Sequence, residues 1–392
     1  MRTVDAAGLS IGDDHPPRIM GVLNVSQESP YKPSVFDDPG DAAAYVDREL
    51  IDQGADIVDI GLESANKRFE VLSAAAELDR LDTAIETIES VSGDAVFSIE
   101  TRYHEVAAAA LDGGFDMVND ICGFADPEMP NVCADYDVAV AKMASPPDLE
   151  RPGAIEDVDD IYDALFQNGV TEKTIVDPAF GGWSEAKTTD DDRETFRRLR
   201  EFRGIGQPIL VSINRKNFLR EIAGRETEEA LPVSLAATAM AVERGAHVIR
   251  THDVAETRDA ALIGDTFARE RWRSETETGV VVEELDVTTA SEVRRHVERV
   301  GTPKGGETTV ETDNTPAEGA SGVATVFELK ALPESRFDVA LETARRHGVL
   351  LASGTDQILV GGLEPAVQEY FESLPELPDI GEITRTGTEG LR

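Results

Sequence analysis

The feature that most constrains the fold is a repeat of apolar runs, each stopping at a polar residue. Eight such runs cover 19–25, 55–61, 95–99, 116–118, 138–141, 174–176, 209–213 and 247–251. They are continuous rather than alternating, which is how strands buried on both faces read. Helices are expected near 40–53, 73–90, 103–112, 127–134, 156–167, 190–203, 216–223, 231–244 and 254–271, with Asp41 capping the first. Eight alternations of strand and helix in about 250 residues predict an α/β fold, a (β/α)8 TIM barrel over residues 18–273.

Residues 1–17 form an N-terminal extension. Beyond Arg273 the pattern changes. Strands are expected at 279–285 and 323–329, and helices at 291–300, 336–346 and 364–374. A hairpin is expected from 348–352 and 357–360. The stretch 302–321, rich in Gly, Thr, Glu and Pro, reads as a flexible loop. Residues 279–376 thus form a small α+β C-terminal domain, with a tail at 377–392. No catalytic constellation is legible in it.

Acidic residues number 77 against 37 basic ones, and the net charge is −40. The acids are spread along the chain and only eight of the basic residues are Lys. Such a surface suits high salt, where counterions screen self-repulsion, so a halophilic host is expected. The charge argues against nucleic-acid binding, which needs a basic footprint. No run of about 18 apolar residues exists to span a membrane, and the N-terminus lacks a signal pattern, so a cytoplasmic protein is expected. Cys122 and Cys133 suggest reduced, partly buried thiols rather than a disulfide framework.

The polar residues fall in a pattern. Asn24, Glu63, Glu100, Asn119, Asp120, Lys142, Asp177, Asn214, Lys216, Arg250 and His252 lie at or just past strand ends. In this architecture that rim carries the active site. Glu100, Asn119 and Asp177 suit a flat heterocycle with N–H donors and carbonyl acceptors, and Lys216 can donate to its ring. For any one of them a structural role, as cap or ion-pair partner, is equally open. Arg250 and His252 stand two residues apart and so share a side. With Arg215 they make a candidate anion site. His252 as a helix cap stays open, though Asp253 is the better cap. Asn24 could give an oxygen ligand to Mg²⁺ carried by a polyphosphate. No P-loop, GxGxxG after a strand, HExxH or Gly-x-Ser-x-Gly is present.

Taken in order, several motifs resemble the dihydropteroate synthase family over roughly residues 18–270. They are Ile19-Met20-Gly21-Val22-Leu23-Asn24-Val25, the run Gly54 to Ser64, Val118-Asn119-Asp120-Ile121, Val176-Asp177-Pro178, Asn214-Arg215-Lys216-Asn217-Phe218 and Arg250-Thr251-His252-Asp253. The resemblance implies a haloarchaeal transferase that joins a pterin diphosphate to an arylamine, 4-aminobenzoate, with Mg²⁺ as cofactor. It implies Glu100, Asn119, Asp177 and Lys216 at the pterin, with Lys216, Glu100 and Asp177 catalytic. It implies Asn24, Arg250 and His252 at the diphosphate, Asn24 also at the metal, and a homodimer built through outer helices. Two loops depart from the family pattern. Ser26-Gln27-Glu28-Ser29-Pro30-Tyr31 replaces Thr-Pro-Asp-Ser-Phe-Ser, and Ala65-Asn66-Lys67-Arg68 replaces Thr-Arg-Pro-Gly, with Lys67 or Arg68 as a stand-in for the lost Arg. Three readings therefore stand: the synthase, a related pterin enzyme with another amine or a methyl-transfer reaction, and a non-catalytic pterin-binding paralogue.

Overall fold

The structure is a computed structural model. It describes residues 1–392 except 27, 30–31, 65–70, 182–183, 185, 277–278, 301–323, 354–356 and 375–392. The loop expected at 302–321, the tail at 377–392, and Lys67 and Arg68 lie outside the described residues. The chain divides into two compact units, Met1–Ala268 and Arg269–Arg392.

The first unit opens with a hairpin, β1 (Val4–Ala6) against β2 (Leu9–Ile11). Ala7 and Gly8 turn it with φ of 51° and 92°, the positive values a two-residue hairpin loop needs. Strands of three residues carry too little periodicity to be read in advance.

Eight strands follow. They are β3 (Arg18–Asn24), β4 (Ile57–Gly61), β5 (Val96–Thr101), β6 (Met117–Asp120), β7 (Ala139–Met143), β8 (Thr174–Asp177), β9 (Leu210–Val211) and β10 (Val248–Thr251). They pair in the order β8-β7-β6-β5-β4-β3-β10-β9, all parallel. A parallel bridge between Val176 and Ile209 joins the two ends, so the sheet closes into the expected (β/α)8 barrel. The alternating helices are α1 (Pro39–Tyr45), α2 (Ala74–Ser90), α3 (His104–Asp112), α4 (Met129–Asp135), α5 (Val158–Phe166), α6 (Thr189–Arg197), α7 (Asn217–Ala223), α8 (Leu231–Glu243) and α9 (Val254–Thr266). Asp38, not Asp41, caps α1: its side chain accepts the Asp41 N–H at 2.9 Å. Strand β9 is shorter than the 209–213 run. Pro208 has no N–H to give, and Ile209, which forms the bridge to Val176, donates its N–H to His247 Nδ1 at 3.0 Å.

Successive strand residues face opposite sides, and this sorts the polar rim. Met20, Ile57, Met117, Ile175, Leu210 and Val248 pack inside the barrel, and Val4, Ala6 and Ile11 of the hairpin join them. The hairpin thus plugs the barrel floor and leaves the C-terminal end as the open face. Two residues expected on the functional rim point the other way. Lys142 is fully buried, and its Nζ donates to the carbonyls of Leu165 (3.0 Å), Gly169 (2.7 Å) and Gln167. It ties off the C-terminal end of α5, where carbonyls lack helical partners. Asp120 accepts the N–H groups of Cys122 and Phe124, both at 2.7 Å, and so shapes its own loop.

The second unit is an antiparallel sheet of β11 (Arg273–Glu275), β12 (Val281–Glu284), β13 (Ala324–Lys330), β14 (Leu350–Ser353) and β15 (Gln357–Leu363), ordered β11-β12-β13-β15-β14. Helices α10 (Ala290–Val300), α11 (Glu334–His347) and α12 (Glu364–Glu372) accompany it. Val282, Phe327, Leu329, Ile358 and Val360 face Ala340, Ala344, Val367, Tyr370 and Phe371. Val326 and Leu359, of opposite parity, pack with Val293 and Val297 of α10. This is an α+β arrangement with helices on both faces. Among the described residues no helix is long and apolar enough to cross a membrane.

Candidate active site

Inward-facing residues above the apolar floor build the site. Asp59 stands two residues past Ile57 on β4 and is completely buried. A buried carboxylate must have its oxygens satisfied, and three side chains do so. Ser98 Oγ donates to Oδ1 at 2.8 Å, Asn119 Nδ2 to Oδ2 at 2.9 Å, and Arg250 Nε to Oδ2 at 2.7 Å. Arg250 also donates from its terminal nitrogen to Glu100 Oε2 at 2.6 Å. Four strands, β4, β5, β6 and β10, are thereby locked to one guanidinium and one carboxylate.

The charges of this group are mutually dependent. Burial opposes the Arg250 charge, but Glu100 and Asp59 outweigh it, and the guanidinium pKa rises. Burial raises the Glu100 carboxyl, against the pull of Arg250. Arg250 therefore stands as a cation committed to two acids, rather than as an open anion receptor.

Asp177, at the end of β8, accepts the Ala179 N–H at 2.8 Å. Burial pushes its carboxyl up to about 6, opposed by that N–H and by the charges of Lys216, Arg250 and Lys187. Lys216 occupies the cap position of α7 and is half-buried. Burial, and then the nearby Arg250 charge, bring its ammonium down to about 8. Asp177 and Lys216 thus titrate near neutrality, as groups poised for proton-sensitive binding do.

On the adjoining wall, β10 and β3, the chain after β3 pairs back onto its end through the bridge from Asn24 to Val35. Asn24 Nδ2 donates to Ser34 Oγ at 3.2 Å, and Ser34 Oγ lies 3.3 Å from His252 Nδ1. Burial and the Arg250 charge drop the His252 imidazole to about 3, so it is neutral at physiological pH. His252 can then act as a hydrogen-bonding group, without a positive charge of its own. Next to Asn24, Gly61 leaves room: a Cβ there would meet Asn24 Oδ1 at 3.0 Å.

The two neighbours grouped with His252 have other work. Arg215, at φ 54°, turns its guanidinium onto Asp253, with Nε–Oδ2 at 2.8 Å and the terminal nitrogen to Oδ1 at 2.9 Å. It also donates to the carbonyls of Thr227 and Glu228. Asp253 is therefore a partner of Arg215 and of Asn214 Nδ2 (2.9 Å), and its side chain makes no cap bond to α9. Arg215 is a loop organiser rather than a member of an anion site. Glu63 pairs with buried Arg102 at 2.9 Å and accepts the Leu72 N–H at 3.2 Å, so it is a structural brace.

The structure thus gathers Asn24, Glu100, Asn119, Asp177, Lys216, Arg250 and His252 at one end of the barrel. Sequence reasoning missed Asp59 as a site residue. Its signal was present, because a charge at an inward position of an apolar strand demands a partner. Ser34 had no such signal.

An eight-stranded barrel with a guanidinium–carboxylate hub and a facing Asp–Lys pair on its C-terminal rim defines a small-molecule enzyme site of the barrel class. The profile of the family described as pterin binding enzyme matches residues 20–252. The chain belongs to the pterin binding enzyme family.

Within it, relatives carry more specific names. A probable bifunctional folylpolyglutamate synthase/dihydropteroate synthase of Haloferax volcanii is 35% identical over 260 residues, covering 62% of this chain and 30% of that protein. One from Halobacterium salinarum is 34% identical over 259 residues, 63% of this chain and 31% of that protein. The chain thus spans about a third of the length of these first curated relatives. The dihydropteroate synthase of Bacillus subtilis is 31% identical, over 64% of this chain and 88% of that protein. Among solved structures, a dihydropteroate synthase from Coxiella burnetii in complex with pteroic acid has a TM-score of 0.57 at 29% identity, covering 67% of this chain and 98% of that one. The enzyme from Thermus thermophilus in complex with 4-aminobenzoate has a TM-score of 0.55 at 28% identity, covering 68% and 100%.

Proposed function

We propose that the barrel is a dihydropteroate synthase. It joins 6-hydroxymethyl-7,8-dihydropterin diphosphate to 4-aminobenzoate. The pterin methylene C–O bond breaks and diphosphate leaves with the electron pair. A C–N bond to the arylamine forms, and the amine gives up one proton. The observation that carries this reading is the placing of Asp177 and Lys216, each within the other's electrostatic reach, on the same barrel rim as the Arg250 hub.

In this reading Asp177 accepts the amidine-like edge of the pterin, Asn119 adds a donor and an acceptor, and Lys216 donates to the ring. Glu100 and Asp177 favour the positive charge that grows on the pterin as the C–O bond breaks. The amine mainly needs positioning. Asn24 and His252 lie on the wall proposed for the diphosphate, with Arg250 between that wall and the pterin. Mg²⁺ fits there as an ion carried in by the diphosphate. It typically keeps waters and takes one or two protein oxygens, and Asn24 Oδ1, which the missing Cβ of Gly61 accommodates, would offer one. Bound there, it would neutralise charge on the leaving oxygens.

A pH profile tests the assigned roles. Asp177 must be ionised to accept, and its carboxyl titrates about 6. Lys216 must be protonated to donate, and its ammonium titrates about 8. Turnover, followed as pteroate and diphosphate release, is therefore expected to fall as pH drops through the lower value and as it rises through the upper one. A flat profile across that range would remove both residues from these roles. We also propose that the acidic surface is a halophilic adaptation; full activity in dilute buffer with loss in molar salt would contradict it.

A further inference from the structure

Behind Asp177 lies a buried cation that the reaction as described does not use. Lys187 precedes α6, and its side chain is 1% exposed. Its Nζ donates to the Ala179 carbonyl at 2.7 Å. Ala179 is the residue whose N–H holds Asp177, and it adopts φ 61°, a left-handed conformation that a non-glycine residue keeps only under constraint. The same ammonium lies 3.7 Å from Asp192 Oδ1. Asp192 in turn accepts the Gly181 N–H, at 3.1 Å and 3.2 Å to its two oxygens. The Lys187 N–H goes to Ser184 Oγ at 2.9 Å, and that hydroxyl donates to Glu156 at 3.0 Å.

Burying an ammonium is costly unless it is paired and hydrogen-bonded. Here it is placed so that one bond fixes the strained residue beside Asp177 and its charge adds to that of Lys216. We propose that Lys187 is a positioning residue for Asp177: it locks the turn that presents the carboxylate and keeps that carboxylate ionised for the pterin. Its counter-charge, Asp192, tempers the effect.

The charged groups around this pair are few and identifiable. Lys216 faces Asp177 from the start of α7, and Arg250 from β10 with its partners Asp59 and Glu100. Asp192 and Asp191 face Lys187 from α6, and Glu156 from the loop before α5. Removing one charge from Lys187 or from Asp192 should therefore move Asp177 in opposite directions. Burial lowers the Lys187 pKa, against the pull of Asp192 and Asp177.

The inference rests on the synthase reading, and one set of assays separates the two. The 392-residue chain and its K187M and D192N variants are compared by kcat/KM for the pterin diphosphate against pH, at saturating 4-aminobenzoate. K187M should lose about tenfold at the acidic end, with the acidic limb moved up by about one pH unit, a tenfold change per unit following from linkage. The loss should shrink as pH rises above the shifted limb. D192N, whose amide oxygen can still accept the Gly181 N–H, should move the limb down. K187R should restore most of the shift, and the KM for 4-aminobenzoate should stay unchanged in all three. An equal loss at every pH, or limbs that move together in K187M and D192N, overturns the proposal. Should K187M not fold, the D192N shift decides alone: no downward shift overturns it. Absence of pteroate from the unmutated protein would instead strike the synthase reading.

Discussion

Asp59→Ala is expected to cost the barrel about 3–5 kcal/mol, the range for removing one partner of a buried ion pair, and to reduce turnover by at least about a hundredfold. The reason is the number of groups that depend on one side chain. Ser98, Asn119 and Arg250 all donate to it, from three different strands. Without it half-buried Arg250 keeps, among the described residues, Glu100 as its ion-pair partner, and Asn119 loses the bond that orients its amide. Denaturant unfolding reads the first effect and steady-state kinetics the second. Asp59→Asn has nearly the same shape but offers an N–H₂ where donors converge. It should therefore be almost as damaging. An Asp59→Asn protein with ordinary stability and turnover would show that shape, not charge, holds the hub.

Lys216→Ala is expected to behave in the opposite way, losing function while keeping the fold. Its ammonium is pulled down to about 8 by burial and by Arg250, so the native state already bears a cost for keeping it charged. Removing it should leave the melting temperature unchanged or raised. Affinity for the pterin should fall about tenfold to a hundredfold, since a hydrogen bond to a charged group contributes about 1.5–3 kcal/mol. Calorimetric titration with the pterin diphosphate measures this directly. Unchanged affinity would refute Lys216 as a pterin ligand.

These two residues also show what was legible in the chain. Lys216 follows an apolar run that ends in Asn-Arg-Lys-Asn, so its place at a strand end could be read from residue order alone. The barrel was legible for the same reason: eight continuous apolar runs leave few other folds. Asp120 and Lys142 were misplaced because a strand end fixes the rim but not the side, and parity sends both outward to backbone groups. Arg215 and Asp253 were misread because their pairing joins two loops across 38 positions, and its geometry depends on a left-handed residue. No local pattern encodes that. The hairpin that plugs the floor is too short to announce itself, and the bond from Lys187 to the Ala179 carbonyl is visible only in the assembled structure.

The central claim is that this rim transfers a pterin methylene from diphosphate to an arylamine. The purified chain, in molar salt with Mg²⁺, 6-hydroxymethyl-7,8-dihydropterin diphosphate and 4-aminobenzoate, tests it by simultaneous measurement of pteroate and diphosphate. The prediction is that both appear together in equal amounts and that neither appears when the amine is left out. Tight pterin binding with no product from 4-aminobenzoate or any other arylamine would contradict it.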